Sequence, residues 1–454
     1  MSTIIDAPRV GDSSAQAEPL NQTQISVVST PKNSYSRVAL ASFIGTAVEF
    51  YDFYIFGLAT ALFIGPLFFP TSSPEAQSLL SFLTFGVAFI ARPVGSALFG
   101  HFGDKIGRKT TLVASLLIMG ISTTLIGFLP TYYTAGFIAP ILLCILRFGQ
   151  GLGLGGEWGG AALLATENAP EGKRALFGMF PQLGPPVGFL ASCSIFIIIE
   201  QTLAPDAVTS WGWRIPFILS SVLVIIGLYV RMSIIESPAF QKLEENDEKV
   251  HVPLIEMCKN HIKMLALGSI SMVASYTIFF IITVFSLQYG TVTTGLYTRT
   301  EYLMMLSIAI VFMAVASPIS ALLADRYGRR PTLLGSYFFI IAAGIFFGSA
   351  VTSNDQVLTT IYLAFGLFAM GFNFAPMGAF LPEIFPTNIR YTGASMTYNL
   401  GGILGGSLPP FAITYFMGFE KGIYYVGYYL ATVAIISFLS VFFIKETKNV
   451  DMMN

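Results

Sequence analysis

Apolar residues run in long blocks along this chain, broken at intervals by short polar and charged stretches. A helix that crosses a bilayer needs about 20 consecutive, mostly apolar residues. Scanned at that length, the pattern predicts twelve spanning helices, at residues 38–64, 78–99, 110–129, 137–164, 175–199, 212–230, 264–289, 302–323, 332–351, 357–381, 393–418 and 423–444. Most connections are short. The exception is 231–263, which carries Glu244-Glu245-Asn246-Asp247-Glu248-Lys249 and divides the spans into two sets of six. The expected organisation is a disordered tail at 1–36, a six-helix bundle at 37–231, a central loop at 232–263, a second six-helix bundle at 264–445 and a short tail at 446–454. The expected fold class is an all-α membrane protein of twelve transmembrane helices in two pseudo-symmetric halves.

Composition agrees with that pattern. Of 454 residues 54% are hydrophobic and only 11% are Asp, Glu, Lys or Arg, against about 25% in a soluble domain. Mean hydropathy is +0.70. A soluble enzyme, a disordered chain and a nucleic-acid binder are thereby excluded. The net charge of -1 gives no bulk field to attract polyanions. Cys144, Cys193 and Cys258 are too few for a disulfide framework or a four-cysteine zinc site. The polar start of the chain, 1–36, does not read as a cleavable signal peptide. Lys and Arg concentrate on one side of the predicted topology, with only Arg299 and Lys421 in loops on the other. By the positive-inside rule both termini are expected in the cytoplasm.

The two halves repeat a charge pattern. Gly100-His-Phe-Gly-Asp104-Lys105-Ile-Gly107-Arg108-Lys109 follows the second span, and Ala321-Leu-Leu-Ala-Asp325-Arg326-Tyr-Gly328-Arg329-Arg330 follows the eighth. Glu167 and Arg174 follow the fourth span, as Glu383 and Arg390 follow the tenth. Recurrence at equivalent loops signals an internal duplication. Two six-helix halves about an axis along the membrane normal form a transporter architecture, with the substrate site between them.

Charges inside the spans are costly, at least about 2.5–3.5 kcal/mol each, and mark candidate function. They are Glu49, Asp52, Arg92, Arg147 and Glu157. At a rise of about 1.5 Å per residue, Asp52 and Arg147 fall at similar depths. A carboxylate facing a guanidinium there favours both charged forms, and separating them favours a proton on the carboxylate. Glu49 lies three residues before Asp52 on the same helical face. It is expected to share the proton, to bind a cationic group of the substrate, or only to bond a neighbouring helix. Arg92 and Glu157 fall nearer the cytoplasmic edge, as an inner gate or as residues reaching for the interface. Polar groups on otherwise apolar spans are the candidate substrate ligands: Tyr51, Tyr54, Gln182, Tyr276, Asn373, Tyr398 and Asn399, with Arg147 as a carboxylate clamp. Gly151-Leu-Gly153-Leu-Gly155-Gly156 fits a dinucleotide fingerprint but follows no strand, so no nucleotide is expected.

The loop after the second span resembles the signature loop of the major facilitator superfamily. Its second copy departs from that pattern at Ala321. Pro382-Glu383-Ile-Phe385-Pro386-Thr387-Asn-Ile-Arg390 is similar to a loop of the sugar-porter branch. Glu49-Phe-Tyr51-Asp52-Phe53-Tyr54, Arg92-Pro93-Val-Gly95, Gly155-Gly156-Glu157-Trp158-Gly159-Gly160 and Trp211-Gly-Trp213-Arg214-Ile-Pro216-Phe217 together resemble the metabolite:proton symporters, which carry shikimate, α-ketoglutarate, citrate, and proline or betaine. The resemblance spans about residues 36–446. It implies proton-driven uptake of a small polar metabolite, an organic acid or zwitterion, across the bacterial cytoplasmic (inner) membrane by alternating access, with no cofactor. The implied partners are substrate, proton and lipid, with neither nucleic acid nor nucleotide, and the expected working form is a monomer. In related sugar:proton symporters an Asp of the first helix takes the proton and pairs with an Arg of the fourth, here Asp52 and Arg147. Asp104, Arg108, Glu167, Arg174, Asp325, Arg329, Glu383 and Arg390 are expected to latch the cytoplasmic face, as a network because single exposed pairs contribute only about 0–1 kcal/mol. Gly184-Pro185-Pro186-Val187-Gly188 partly resembles a motif of superfamily antiporters, which keeps export by proton exchange as the alternative. An embedded enzyme is not expected, because no metal cluster, Ser-His or Cys-His set stands out.

Overall fold

The computed structural model describes the backbone of residues 35–106, 108–167, 169–232, 253–386 and 389–450. Side chains at 35–39, 41, 42, 100–112, 164, 230, 231, 253–255 and 258 lie outside the description, and with them those of Asp104 and Arg108. The expected tail at 1–36 and central loop at 232–263 fall largely outside it as well, although Pro253–Asn260 is a helix.

Twelve apolar helices are found among the described residues: α1 (Phe43–Phe68), α2 (Pro74–Phe99), α3 (Val113–Phe128), α4 (Ile138–Glu167), α5 (Pro181–Thr202), α6 (Gly212–Tyr229), α7 (Ile262–Thr293), α8 (Arg299–Tyr327), α9 (Arg329–Val351), α10 (Gln356–Glu383), α11 (Arg390–Met417) and α12 (Gly422–Phe442). All but the shorter α3 are long and apolar enough to cross a membrane. In hydrocarbon every backbone group must be satisfied within the segment, which the helix does. Two helix starts, those of α8 and α10, are closed by the side chain of the preceding residue. Thr298 Oγ1 accepts from Glu301 N, and Glu301 Oε2 accepts from Thr298 N at 2.8 Å. At α10, Asp355 Oδ1 accepts from the amides of Val357 and Leu358.

Small residues set the helix crossings. A Cβ on Gly151 or Gly155 would collide with the backbone of Ala88 or Arg92, so the glycine run of α4 is the surface on which α2 lies. Gly371 of α10 meets the backbone of Met313 on α8 in the same manner. Gly184 and Gly188 bring α5 against Thr46, Ala47 and Tyr51 of α1.

Four π-helical turns interrupt the spans: Thr60–Ile64 in α1, Phe280–Phe285 and Tyr289–Thr293 in α7, and Ile403–Ser407 in α11. Such turns concentrate at functional sites, and here they belong to three of the five helices that line the central cavity described below. Large apolar side chains such as Ile121, Ile145, Ile225, Phe338 and Phe346 are exposed on the outer faces, the surface that lipid covers.

Candidate functional site

At the centre α1, α2, α7, α10 and α11 enclose a cavity of about 30 Å³, room for roughly one water molecule. Its wall is aromatic, with Phe50, Phe53 and Tyr54 from α1, Phe85 and Phe89 from α2, and Tyr276, Phe279 and Phe280 from α7. Its one cationic lining group is Arg92. The Arg92 guanidinium carbon lies 5.3 Å from the Tyr398 ring, 5.4 Å from Phe89 and 5.8 Å from Phe53. Cation–π attraction offsets part of the cost of this buried charge. Arg92 Nε and the hydroxyls of Tyr276 and Tyr398 find no hydrogen-bond partner. The three donors beside one small void suit an anionic oxygen. Glu49 is buried on α1, one residue before the lining residue Phe50.

The cavity is shut at both ends. Toward the charged loops, Trp158 of α4 stacks on Tyr398 of α11 at 3.9 Å with planes 4° apart. Trp158 Nε1 donates to Gln182 Oε1 at 3.1 Å, and Gln182 Nε2 donates to the Phe374 carbonyl at 3.3 Å. Asn399 Nδ2 donates to Ser96 Oγ at 2.5 Å and to the Gly155 carbonyl at 3.2 Å. Tyr391 donates to the Gly156 carbonyl at 2.8 Å. At the opposite end Tyr54 stacks on Phe279 at 4.9 Å, Ser407 Oγ donates to the Gly86 carbonyl at 3.1 Å, and Gln288 Nε2 donates to Ser78 Oγ at 2.8 Å. Arg299 and Glu200 form an ion pair at 3.3 Å there.

Of the residues read as substrate ligands, Tyr54, Tyr276 and Tyr398 line the cavity. Tyr51 donates to the Pro216 carbonyl at 3.2 Å, between α1 and α6. Asn373 joins Ser275 and Ser336 at 2.5 and 2.6 Å. Gln182 and Asn399 are engaged in the closing contacts. Arg92, read as a gate residue, is a wall of the cavity. Glu157 is buried next to Trp158 in chain order.

Asp52 and Arg147 lie behind this wall, both fully buried. The ion pair expected between them is not made. Arg147 donates through Nε to the Thr84 carbonyl at 3.3 Å, through Nη2 to the Phe85 carbonyl at 3.0 Å, and through Nη1 to Gln150 Oε1. Its guanidinium carbon lies 3.9 Å from the centre of the Phe56 ring. The depth estimate was insufficient because depth does not fix the direction in which a side chain leaves its helix. Arg147 is turned to α2, and Gln150 stands between it and α1. Gln150 Nε2 donates at 2.9 Å to the Asp52 carbonyl and to Thr123 Oγ1. Asp52 Oδ1 accepts from Ser220 Oγ of α6 at 2.6 Å, while Oδ2 has no hydrogen-bond partner. Sequence reading missed Gln150, Thr123 and Ser220. For Gln150 there was a signal, an amide on an apolar span on the same face as Arg147.

The charged loops assemble as a network. Arg329 grips Glu383 through Nε and Nη2, both at 3.0 Å, and lies 3.2 Å from Asp325. Asp325 in turn accepts at 2.9 Å from the amides of Ala175 and Leu176, in the short helix Arg174–Gly178 after α4. Arg174 donates to the Val450 carbonyl at 2.6 Å, and Arg390 to the Phe385 carbonyl at 3.2 Å. Glu167 is exposed. The segment after α12, read as a tail, takes part. Thr447 donates to Glu383 at 2.7 Å, and Glu446 caps α9 by accepting from the amides of Arg329 and Arg330 at 2.8 and 3.0 Å.

The model of the sugar (and other) transporter family matches the chain at residues 38–252 and again at 253–454. The inner membrane metabolite transport protein YhjE of Escherichia coli is 49% identical over 92% of this chain and 96% of its own length. The shikimate transporter of the same organism is 36% identical over 91% of this chain and 95% of its own. Its proline/betaine transporter is 31% identical over 96% and 88%. Among solved structures, a partially occluded inward open form of the Escherichia coli xylose transporter XylE superposes with a TM-score of 0.72 at 18% identity, over 91% of this chain and 99% of XylE. That likeness establishes the fold.

Proposed function

Since the chain belongs to the sugar (and other) transporter family of the major facilitator superfamily, and is a multi-pass membrane transport protein, we propose that it imports a small organic acid or zwitterion together with a proton. Import would run across the bacterial inner membrane by alternating access. In this reading both termini are cytoplasmic, and the halves 37–231 and 264–445 rock about the central cavity. Asp52 carries the proton. The observation that carries the reading is its carboxyl group: fully buried, with Oδ2 unpartnered and no cation bonded to it. An ionised carboxylate in such a place is a bare charge, and a proton on Oδ2 removes that cost. Arg92, Tyr276 and Tyr398 take the substrate carboxylate, and Glu49 with the aromatic wall takes an ammonium where there is one. The relatives named for shikimate and for proline/betaine support both substrate classes. Closure at both ends corresponds to the occluded stage, in which the cavity is too small for such a solute. Binding therefore requires one end to open.

The test is uptake into proteoliposomes under an imposed pH gradient, acid outside, with shikimate, proline and glycine betaine as probes. Accumulation of one of them that an uncoupler abolishes supports the reading. Uptake that the uncoupler leaves unchanged, or exit driven by the same gradient, overturns it.

A further inference from the structure

The pocket behind the cavity contains a group to which the transport reading assigns no part. Gln150 is fully buried on α4, one helical turn from Arg147. An arginine has only donors, so the amide oxygen of Gln150 must face Arg147 and its NH₂ must face away. The remaining bonds agree. Thr123 Oγ1 donates to the Met119 carbonyl at 2.9 Å and is left as an acceptor for Gln150 Nε2. The other Nε2 hydrogen goes to the main-chain carbonyl of Asp52 at 2.9 Å. One side chain thus occupies the space between the cation and the residue bearing the acid, and bonds both.

We propose that Gln150 is the positioning residue that keeps Arg147 off the Asp52 carboxyl in the closed form, so that Asp52 can hold its proton beside a buried cation. This inference rests on the reading of Asp52 as the proton carrier. Each Arg147 nitrogen has an acceptor in this structure, and Gln150 supplies one of them. Without it, Nη1 is left unsatisfied among fully buried groups, a state that a charged donor does not tolerate. The Asp52 carboxylate is the acceptor that relieves this. Pairing would hold Asp52 ionised and remove the proton before the carrier opens.

The other groups around Asp52 do not substitute for Arg147. On α1 these are Glu49, a like charge, and Tyr51, whose hydroxyl is given to Pro216. On α2 Arg92 is directed at the cavity rings. On α4 Cys144 is a half-buried thiol. On α5 Cys193 is a buried thiol, and Ser192 bonds the main chain of Gly188 and Tyr51. From α3 and α6 come the hydroxyls of Thr123 and Ser220. Arg214, also on α6, is committed to the carbonyls of Gly127 and Leu129.

The test needs no substrate. Full-length protein in liposomes is titrated by pH-difference infrared spectroscopy, and the protonated-carboxyl band absent from D52N is assigned to Asp52. The comparison uses wild type, Q150M, R147M and R147M/Q150M. Met matches Gln in length and offers Arg147 no oxygen. The titration midpoint of Q150M is expected about 1–3 pH units below wild type, the range an adjacent opposite charge produces. In the R147M background the same substitution is expected to cause no downward shift, because the cation is gone. A merely structural role would perturb both backgrounds alike. If no band in the wild type is sensitive to D52N, the reading of Asp52 itself fails. If that band titrates in wild type but Q150M leaves it in place or moves it up, the Gln150 inference is overturned. Should Q150M not fold, Q150N, whose shorter amide cannot bridge Arg147 and Asp52, carries the same expectation.

Discussion

Trp158 and Tyr398 lie face to face across the loop-side end of the cavity, ring centres 3.9 Å apart and planes 4° from parallel. One comes from α4 and the other from α11, and both are buried. The stack and the Trp158–Gln182 bond close the floor of the cavity. An aromatic pair contributes about 0.5–1.5 kcal/mol beyond its buried area. Truncating a buried Trp costs about 3–5 kcal/mol in all. W158A is therefore expected to lower thermal stability strongly and to slow transport, whereas W158F, which keeps a ring against Tyr398 but gives up the bond to Gln182, is expected to lose clearly less. Thermal unfolding of the two variants checks this; equal losses would separate the stack from the closure.

Arg92 is the cavity's cation, and a substrate carboxylate should depend on it. A hydrogen bond to a charged group contributes about 1.5–3 kcal/mol, roughly 10- to 150-fold in affinity. R92M is expected to weaken carboxylate binding by that factor, seen as loss of ligand-induced thermal stabilisation. An uncharged analogue of the same ligand should bind both proteins alike. A uniform loss would indicate collapse of the aromatic wall instead.

The Arg329–Glu383 pair is buried and bidentate. Removing one partner leaves the other charge without compensation, at about 3–5 kcal/mol, while an apolar pair of similar volume can be neutral. R329M and E383M are each expected to unfold far more readily than the double variant R329M/E383M. Additive losses in thermal unfolding would contradict this. The Arg299–Glu200 pair at the opposite end is partly exposed, with side-chain exposures of 32% and 16%. Its contribution is expected to be only about 0–1 kcal/mol and to fade with salt. E200Q should barely change thermal stability, and a large loss would show that the pair closes that end.

The twelve helices were legible because a bilayer imposes one length on every span, and the runs around Asp52, Arg92 and Arg147 meet it. The repeated loops were legible because charge there is sparse. Directions were not. Depth along the helices does not say which way Arg147 leaves α4; its side chain goes to α2, which lies close against Gly151 and Gly155. Arg92 was assigned by its backbone position to the inner edge, but its long side chain reaches the rings of Phe89 and Tyr398. Gln150 was legible only as an amide on the face of Arg147; the glycines that follow it draw the eye to packing. Glu446 and Thr447 were hidden in what reads as a tail, because bonds to Arg329 and Glu383 cross more than 60 residues of chain.

The account's central claim is that Asp52 carries the coupled proton, and D52N tests it most directly. The amide cannot release a proton, yet it preserves the shape of the group and leaves an oxygen to accept from Ser220. In proteoliposomes, with the probe that the wild type accumulates, D52N is expected to lose accumulation under a pH gradient while still exchanging internal for external substrate. Accumulation by D52N at the wild-type level would contradict the claim.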